Sequence, residues 1–132
     1  MRYQIQDILI SRGGDSVSAD SIAKQKSMAF AKRIVGLYQY LTEEHHEHIL
    51  SKQVLRSGTG IGANIAEAVY GSSRKDFLAK LQIAQKEAAE TLYWLELLNS
   101  SAYLPDVLYQ SLSGDCGELL AILTASIRSG SK

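Results

Sequence analysis

Cysteine is almost missing from this sequence. Cys116 is the only one in 132 residues, so no disulfide forms within the chain and no zinc site of several thiolates can be built. Proline is equally scarce. Pro105 stands alone, and a chain so poor in helix breakers leans towards helix. Net charge is missing too: Lys+Arg total 14 and Asp+Glu total 14. That is not the basic excess of a dedicated nucleic-acid binder, and it gives little repulsion between copies. No apolar run approaches the roughly 20 residues that a membrane span needs. Met1 to Ile10 carries one arginine and no small-residue cleavage pattern, unlike a signal peptide. The compartment expected from these absences is the cytoplasm.

Hydrophobic residues make up 45% of the chain, enough for one real core in a chain of single-domain size. That excludes a disordered polymer. The apolar positions then set the architecture. Residues 1–19 read as an arm, because Arg12-Gly13-Gly14-Asp15-Ser16 has turn composition. A first helix is expected from Ser18 to Leu41, where Ala23, Ser27, Phe30, Ile34, Leu37 and Leu41 are spaced 4, 3, 4, 3 and 4. Thr42 reads as the N-cap of a second helix over Glu43–Tyr70, with a seam of Leu50, Val54, Ser57, Ile61, Ile65 and Ala68 and a stop at Gly71. Ser73-Arg74-Lys75-Asp76 resembles a capping box for a third helix, whose seam is Phe77, Leu81, Ala84, Ala88, Thr91, Leu95 and Leu98.

Asn99–Leu104 reads as a connection, and Pro105 suits the first turn of a fourth helix with Leu108, Leu112, Cys116, Leu119, Leu123 and Ser126 on its seam. Ser129–Lys132 reads as a frayed tail. Four helices with one apolar stripe each and short loops make an all-α, antiparallel up-down-up-down bundle over residues 20–129. No strand pair and no internal repeat is visible.

Three segments invite a chemical reading. Gly58-Thr59-Gly60-Ile61-Gly62 looks like a phosphate loop, yet it lacks the preceding strand and the Gly-Lys-Ser/Thr ending. Three glycines in a helix, each costing about 1 kcal/mol against alanine, instead suggest a face pressed against another backbone, in the third helix or in another subunit. His45-His46-Glu47-His48 invites a metal, but the pair at i and i+4 with glutamate between is missing, and a solvated first helical turn is expected. No cofactor or metal is expected.

The third segment is spread out. Arg56, Asn64, Glu67 and Glu90 fall near the packed seams and need partners. A polar network tying helices two and three accounts for them, with a ligand site at a subunit interface as the alternative. No nucleophile is paired with a base, so no enzyme is expected. Arg74, Lys75 and Lys80, with Lys86 one turn or two later, form a modest basic group whose usual meaning is a solvated helix surface, and Arg56, Arg74, Lys75 and Lys80 are the candidates to contact phosphates of RNA or DNA. Tyr70, Ile83, Tyr93, Trp94 and Leu97 lie off the main stripes, and large apolar groups outside the seam mark contact with another chain. A homo-oligomer is therefore expected, with a wide apolar stripe on a buried helix as the competing explanation.

The stretch from Gln53 to Ala68, with Arg56-Ser57 and Asn64-Ile65-Ala66-Glu67 at its heart, resembles the signature of the four helix bundle protein family, also called the 23S rRNA intervening-sequence protein family. Ser73 to Phe77, Leu81-x-Ile83-Ala84, Glu90 and Leu95 continue the likeness, over roughly residues 20–128. Gly60 stands where members usually have serine, and Ala68 where they have glycine. The resemblance, which extends to the accessory protein of diversity-generating retroelements, implies a four-helix bundle in a homopentameric ring with no established enzyme activity. The expected function is a non-enzymatic assembly or adaptor module. The alternative is an RNA- or DNA-binding module whose basic residues repeat around the ring.

Overall fold

The computed structural model describes residues 19–131. They form four helices and no strand: α1 Ala19–Glu44, α2 Leu50–Ala68, α3 Arg74–Ser100 and α4 Asp106–Gly130. The connections 45–49, 69–73 and 101–105 are each five residues long, too short for anything but a reversal of direction. Each helix packs on its chain neighbours, and α4 closes the bundle against α1. The arm expected over 1–19 lies outside the described residues, save Ala19, which opens α1.

The seams are buried as their spacing demands. Phe30, Ile34, Leu41, Val54, Ile61, Leu95, Leu98, Leu112, Leu119 and Leu123 are the large side chains at the centre. Cys116 is in the core with them, its Sγ 3.3 Å from the Ala88 carbonyl. Burial, and then the neighbouring Asp115 carboxylate, push its thiol up to about 12. It packs as a small hydrophobe rather than reacting as a nucleophile.

The helix ends differ from the expectation in five places. Thr42 is not an N-cap. Its hydroxyl donates back to the Tyr38 carbonyl at 2.9 Å, and α1 runs on to Glu44. The reversal comes at His45–Ile49, where His46 takes a left-handed φ of 54°. The histidine segment is therefore the turn itself and not a solvated helical turn. Glu47 does the capping: its carboxylate accepts from the backbone N–H of Ile49, Leu50 and Ser51 at 3.1, 2.9 and 2.7 Å. Burial pushes its carboxyl up, but these bonds outweigh it and hold Glu47 below the ordinary carboxylate value.

At the other end α2 stops at Ala68, before Gly71, and no described glycine adopts a positive φ. Gly71 is needed for closeness: a Cβ there would lie 3.1 Å from the Phe77 nitrogen. Pro105 sits one residue ahead of α4 rather than inside its first turn. Ser129 and Gly130 are helical, not frayed, because the Gly130 carbonyl accepts from Arg74 Nε at 2.9 Å. Ser73 caps α3 as expected, accepting from the Asp76 N–H at 3.1 Å. The Asp76 carboxylate, however, takes the Ser72 hydroxyl.

Candidate interaction surface

The glycine segment is continuous helix, so no phosphate loop exists there. Its three glycines do not share one neighbour. A Cβ on Gly58 would stand 2.9 Å from Cγ1 and Cγ2 of Ile34, and one on Gly62 would stand 3.1 Å from Ser27 Oγ. Both therefore press on α1, not on the expected third helix or another subunit. Gly60 alone turns to α3, where a Cβ would meet Glu87 Oε2 at 2.9 Å. The spacing of i and i+4 puts Gly58 and Gly62 one above the other, which lets α1 and α2 approach closely.

The α2–α3 boundary is held differently. Deep inside, Thr91 Oγ1 lies 2.8 Å from Ser57 Oγ and 2.7 Å from the Glu87 carbonyl, so two seam hydroxyls satisfy each other. Further out, Arg56 donates to Glu87 at 3.3 Å and to Glu90, and Glu90 also accepts from Trp94 Nε1 at 2.9 Å. Lys80 reaches Glu67 at 2.8 Å.

The expected network is thus divided. Arg56 and Glu90 meet. Glu67 pairs elsewhere, eleven residues from Arg56 along α2, or about 16 Å at the helical rise. Asn64 stays on its own helix and donates to the Gly60 carbonyl at 2.8 Å, a carbonyl that glycine leaves open. Asn64, Glu67 and Glu90 therefore build no common ligand site. Glu87, which sequence reasoning passed over, is the residue that fills the notch at Gly60.

The four candidate phosphate-binding cations are also dispersed. Arg56 and Lys80 are engaged by carboxylates, and Arg74 by the end of α4. Lys75 makes no ion pair among the described residues. It shares a shallow hollow with Arg74, Leu78, Gln82 and Gly130.

The off-seam apolar residues stand on the outer side of this boundary. Tyr70 is 87% exposed, Tyr93 58% and Ile83 44%. Trp94 is half-buried against the core, edge-on to Tyr93 with centroids 4.9 Å apart, and Leu97 is half-buried one turn on. Ile83, Trp94 and Leu97 share the α3 face that carries Glu87 and Glu90.

His45 is held edge-on between Tyr40 and Tyr103, with its Nε2 3.0 Å from the Tyr40 hydroxyl. Among the described residues no three His, Cys, Asp or Glu side chains gather to hold a metal ion, and no helix is long and apolar enough to cross a membrane. A hollow of about 150 Å³ is lined mainly by Ala23, Ile65, Val69, Phe77, Leu81 and Leu123, with Lys24 and Ser126 as its polar residues.

Among the described residues, these features define an antiparallel four-helix bundle with ion pairs along two of its helix boundaries and no sign of catalytic machinery. Comparison with known proteins carries the assignment further. Residues 19–125 match the family described as 23S rRNA-intervening sequence protein, and the chain belongs to that family. It is also similar to a crystal structure of a protein of unknown function from the S23 ribosomal protein family of Bacteroides thetaiotaomicron. The two are 50% identical with a TM-score of 0.83, over 84% of this chain and 99% of that one. No curated protein matches the chain.

Proposed function

We propose that this protein is a non-enzymatic cytoplasmic module that assembles with copies of itself, as a ring of five by likeness to its family, and presents that ring to a partner macromolecule. The observation that carries the reading is the set of Ile83, Tyr93, Trp94 and Leu97 on α3 with Tyr70 in the connection before it. Apolar groups of this size gain about 1.5–3 kcal/mol each when fully buried, and the isolated bundle leaves Tyr70, Ile83 and Tyr93 largely in water. Of the neighbouring carboxylates, Glu87 and Glu90 pair with Arg56 and Glu67 with Lys80, so the set lies beside ion-paired groups rather than bare charges.

Light scattering at micromolar concentration tests this directly. The expected mass is a multiple of the 14.5 kDa chain, five-fold for the pentamer. A monomer across that range removes the proposal.

Nucleic acid is the alternative partner, through Arg56, Arg74, Lys75 and Lys80 repeated around a ring. Its support is narrower, because only Arg74 and Lys75 stand side by side without a carboxylate partner among the described residues. Titration with structured RNA at low salt decides it. Binding that falls steeply with salt favours it, and no binding at low salt eliminates it.

A further inference from the structure

The apolar hollow stands at one end of the bundle, and all four helices contribute to it. Ala23 comes from the start of α1, Ile65 from the last turn of α2, Phe77 and Leu81 from the start of α3, and Leu123 from the end of α4. Large side chains such as Phe30, Ile34 and Leu95 fill the middle of the core, whereas the small Ala23 leaves room at this end. Ala23, Ile65, Leu81 and Leu123 are buried in its floor. Its lip is open: Val69 is 55% exposed, and Ser126 is half-buried. The volume of about 150 Å³ is that of a cavity that takes up benzene, so one leucine or isoleucine side chain would fill it.

The chain supplies such side chains close by. Residues 1–18 precede α1 and join it at Ala19, four residues before Ala23, or about 6 Å along the helix. Their longest aliphatic run is Ile8-Leu9-Ile10. The stretch from Leu9 to Ala19 can span up to about 33 Å, so reach does not limit it. Gly13-Gly14 permits the reversal of direction that a return to the bundle needs. The family match starts at residue 19, after this run.

We propose that the Ile8-Leu9-Ile10 run turns back onto the bundle of its own chain and seats one aliphatic side chain in this hollow, closing the open end of the core. Size argues for a tethered occupant. A stable contact between separate molecules covers roughly 800 Å² on each partner, and a hollow for a single side chain offers far less. Covalent attachment replaces that area, because a short flexible tether holds the run at about millimolar effective concentration. The contact is independent of the self-assembly reading, and a monomeric wild type leaves it intact.

A double-mutant cycle on the full chain tests it. Ile8→Ser, Leu9→Ser and Ile10→Ser together should lower Tm by about 3–6 °C at fixed concentration. The same triple change should leave Tm unmoved in a Ser126→Asp background, where a charge on the lip already bars an apolar side chain. No loss in the wild type, or an equal loss in both backgrounds, overturns the proposal. Cysteine pairing identifies the chain that supplies the run. With Cys116→Ala, Leu9→Cys should form a disulfide with Ser126→Cys under mild oxidation, faster than with Ala121→Cys on the exposed side of α4. The product should keep the 14.5 kDa mass of one chain. Chains linked in pairs, or equal rates at positions 121 and 126, would place the run elsewhere and overturn the proposal.

Discussion

Gly58→Ala should destabilise the bundle, although alanine is the better helix former. A methyl group at this position would sit 2.9 Å from both γ carbons of Ile34 and 3.3 Å from its Cβ, against about 3.5–4.0 Å for carbon atoms in comfortable contact. Ile34 is fully buried and β-branched, so it has little freedom to turn away. Overpacking of this kind costs about 1–3 kcal/mol, and helix propensity returns about 1 kcal/mol. Gly114→Ala is the control, because nothing lies within 4 Å of a Cβ there. It should keep the whole propensity gain of about 1 kcal/mol. The two variants should then differ by about 1–3 kcal/mol, a gap of roughly 3–15 °C in Tm for a domain of this size. Thermal melts followed by helical circular dichroism at one fixed concentration read the difference. A double-mutant cycle sharpens it: Ile34→Ala should cost less in the Gly58→Ala background than in the wild type, because it removes the clash. Two glycine variants that are stabilised alike would refute close packing of α1 on α2.

Three further substitutions have calculable outcomes. Ala102 sits at φ 67° in a Schellman turn, where the Tyr103 N–H reaches the Leu98 carbonyl at 2.9 Å and the Ala102 N–H that of Asn99 at 3.1 Å. Ala102→Gly should therefore raise stability by about 1 kcal/mol in urea titrations. Ser113 Oγ is buried with no hydrogen-bond partner among the described residues, so Ser113→Ala should raise Tm, whereas a fall would mean that the hydroxyl is satisfied. Glu47→Gln should cost about 1 kcal/mol at neutral pH. The Glu47 carboxyl is held below its ordinary 4.5, so its contribution is complete above that value and lost as pH falls through the lower, folded value. Urea midpoints of wild type and Glu47→Gln should converge on acidification, and a constant gap would count against the cap.

The fold was legible because the seams are nearly pure in period. Every interior position from Ala23 to Leu41 and from Leu81 to Leu98 that the 3-and-4 spacing selected is buried. The helix ends were less legible, since they depend on single contacts. Threonine before two glutamates has the composition of an N-cap, yet Thr42 bonds backward within α1 and the cap falls to Glu47, a residue type that rarely serves so. Gly71 reads as a stop but is there for closeness to Phe77, and Gly130, read as part of a frayed tail, is the last residue of α4. In the surface, the charged residues were visible but their pairing was not. Arg56, Glu67 and Glu90 stood out near the seams, whereas Glu87 did not, because nothing in the spacing shows that glycine at position 60 opens room for its carboxylate.

That pairing bears on what the α2–α3 face can meet. A bare guanidinium on a surface favours phosphate, and burying it without a partner is strongly unfavourable. Arg56 is not bare. Two carboxylates hold it, and one of them also fixes Trp94, so the charged and aromatic parts of the face form one unit. Such a unit can be covered by another apolar surface at lower desolvation cost than separate charges, because its hydrogen bonds are already made. The same unit is a poor phosphate binder, since a phosphate must first displace Glu87 and Glu90. Salt separates the two uses. Association through Ile83, Tyr93 and Leu97 should survive high ionic strength, where screening leaves apolar burial untouched. Association through phosphate contacts should fall with the logarithm of salt. An assembly that dissolves between low and high salt would show that charge, not apolar area, holds the copies together.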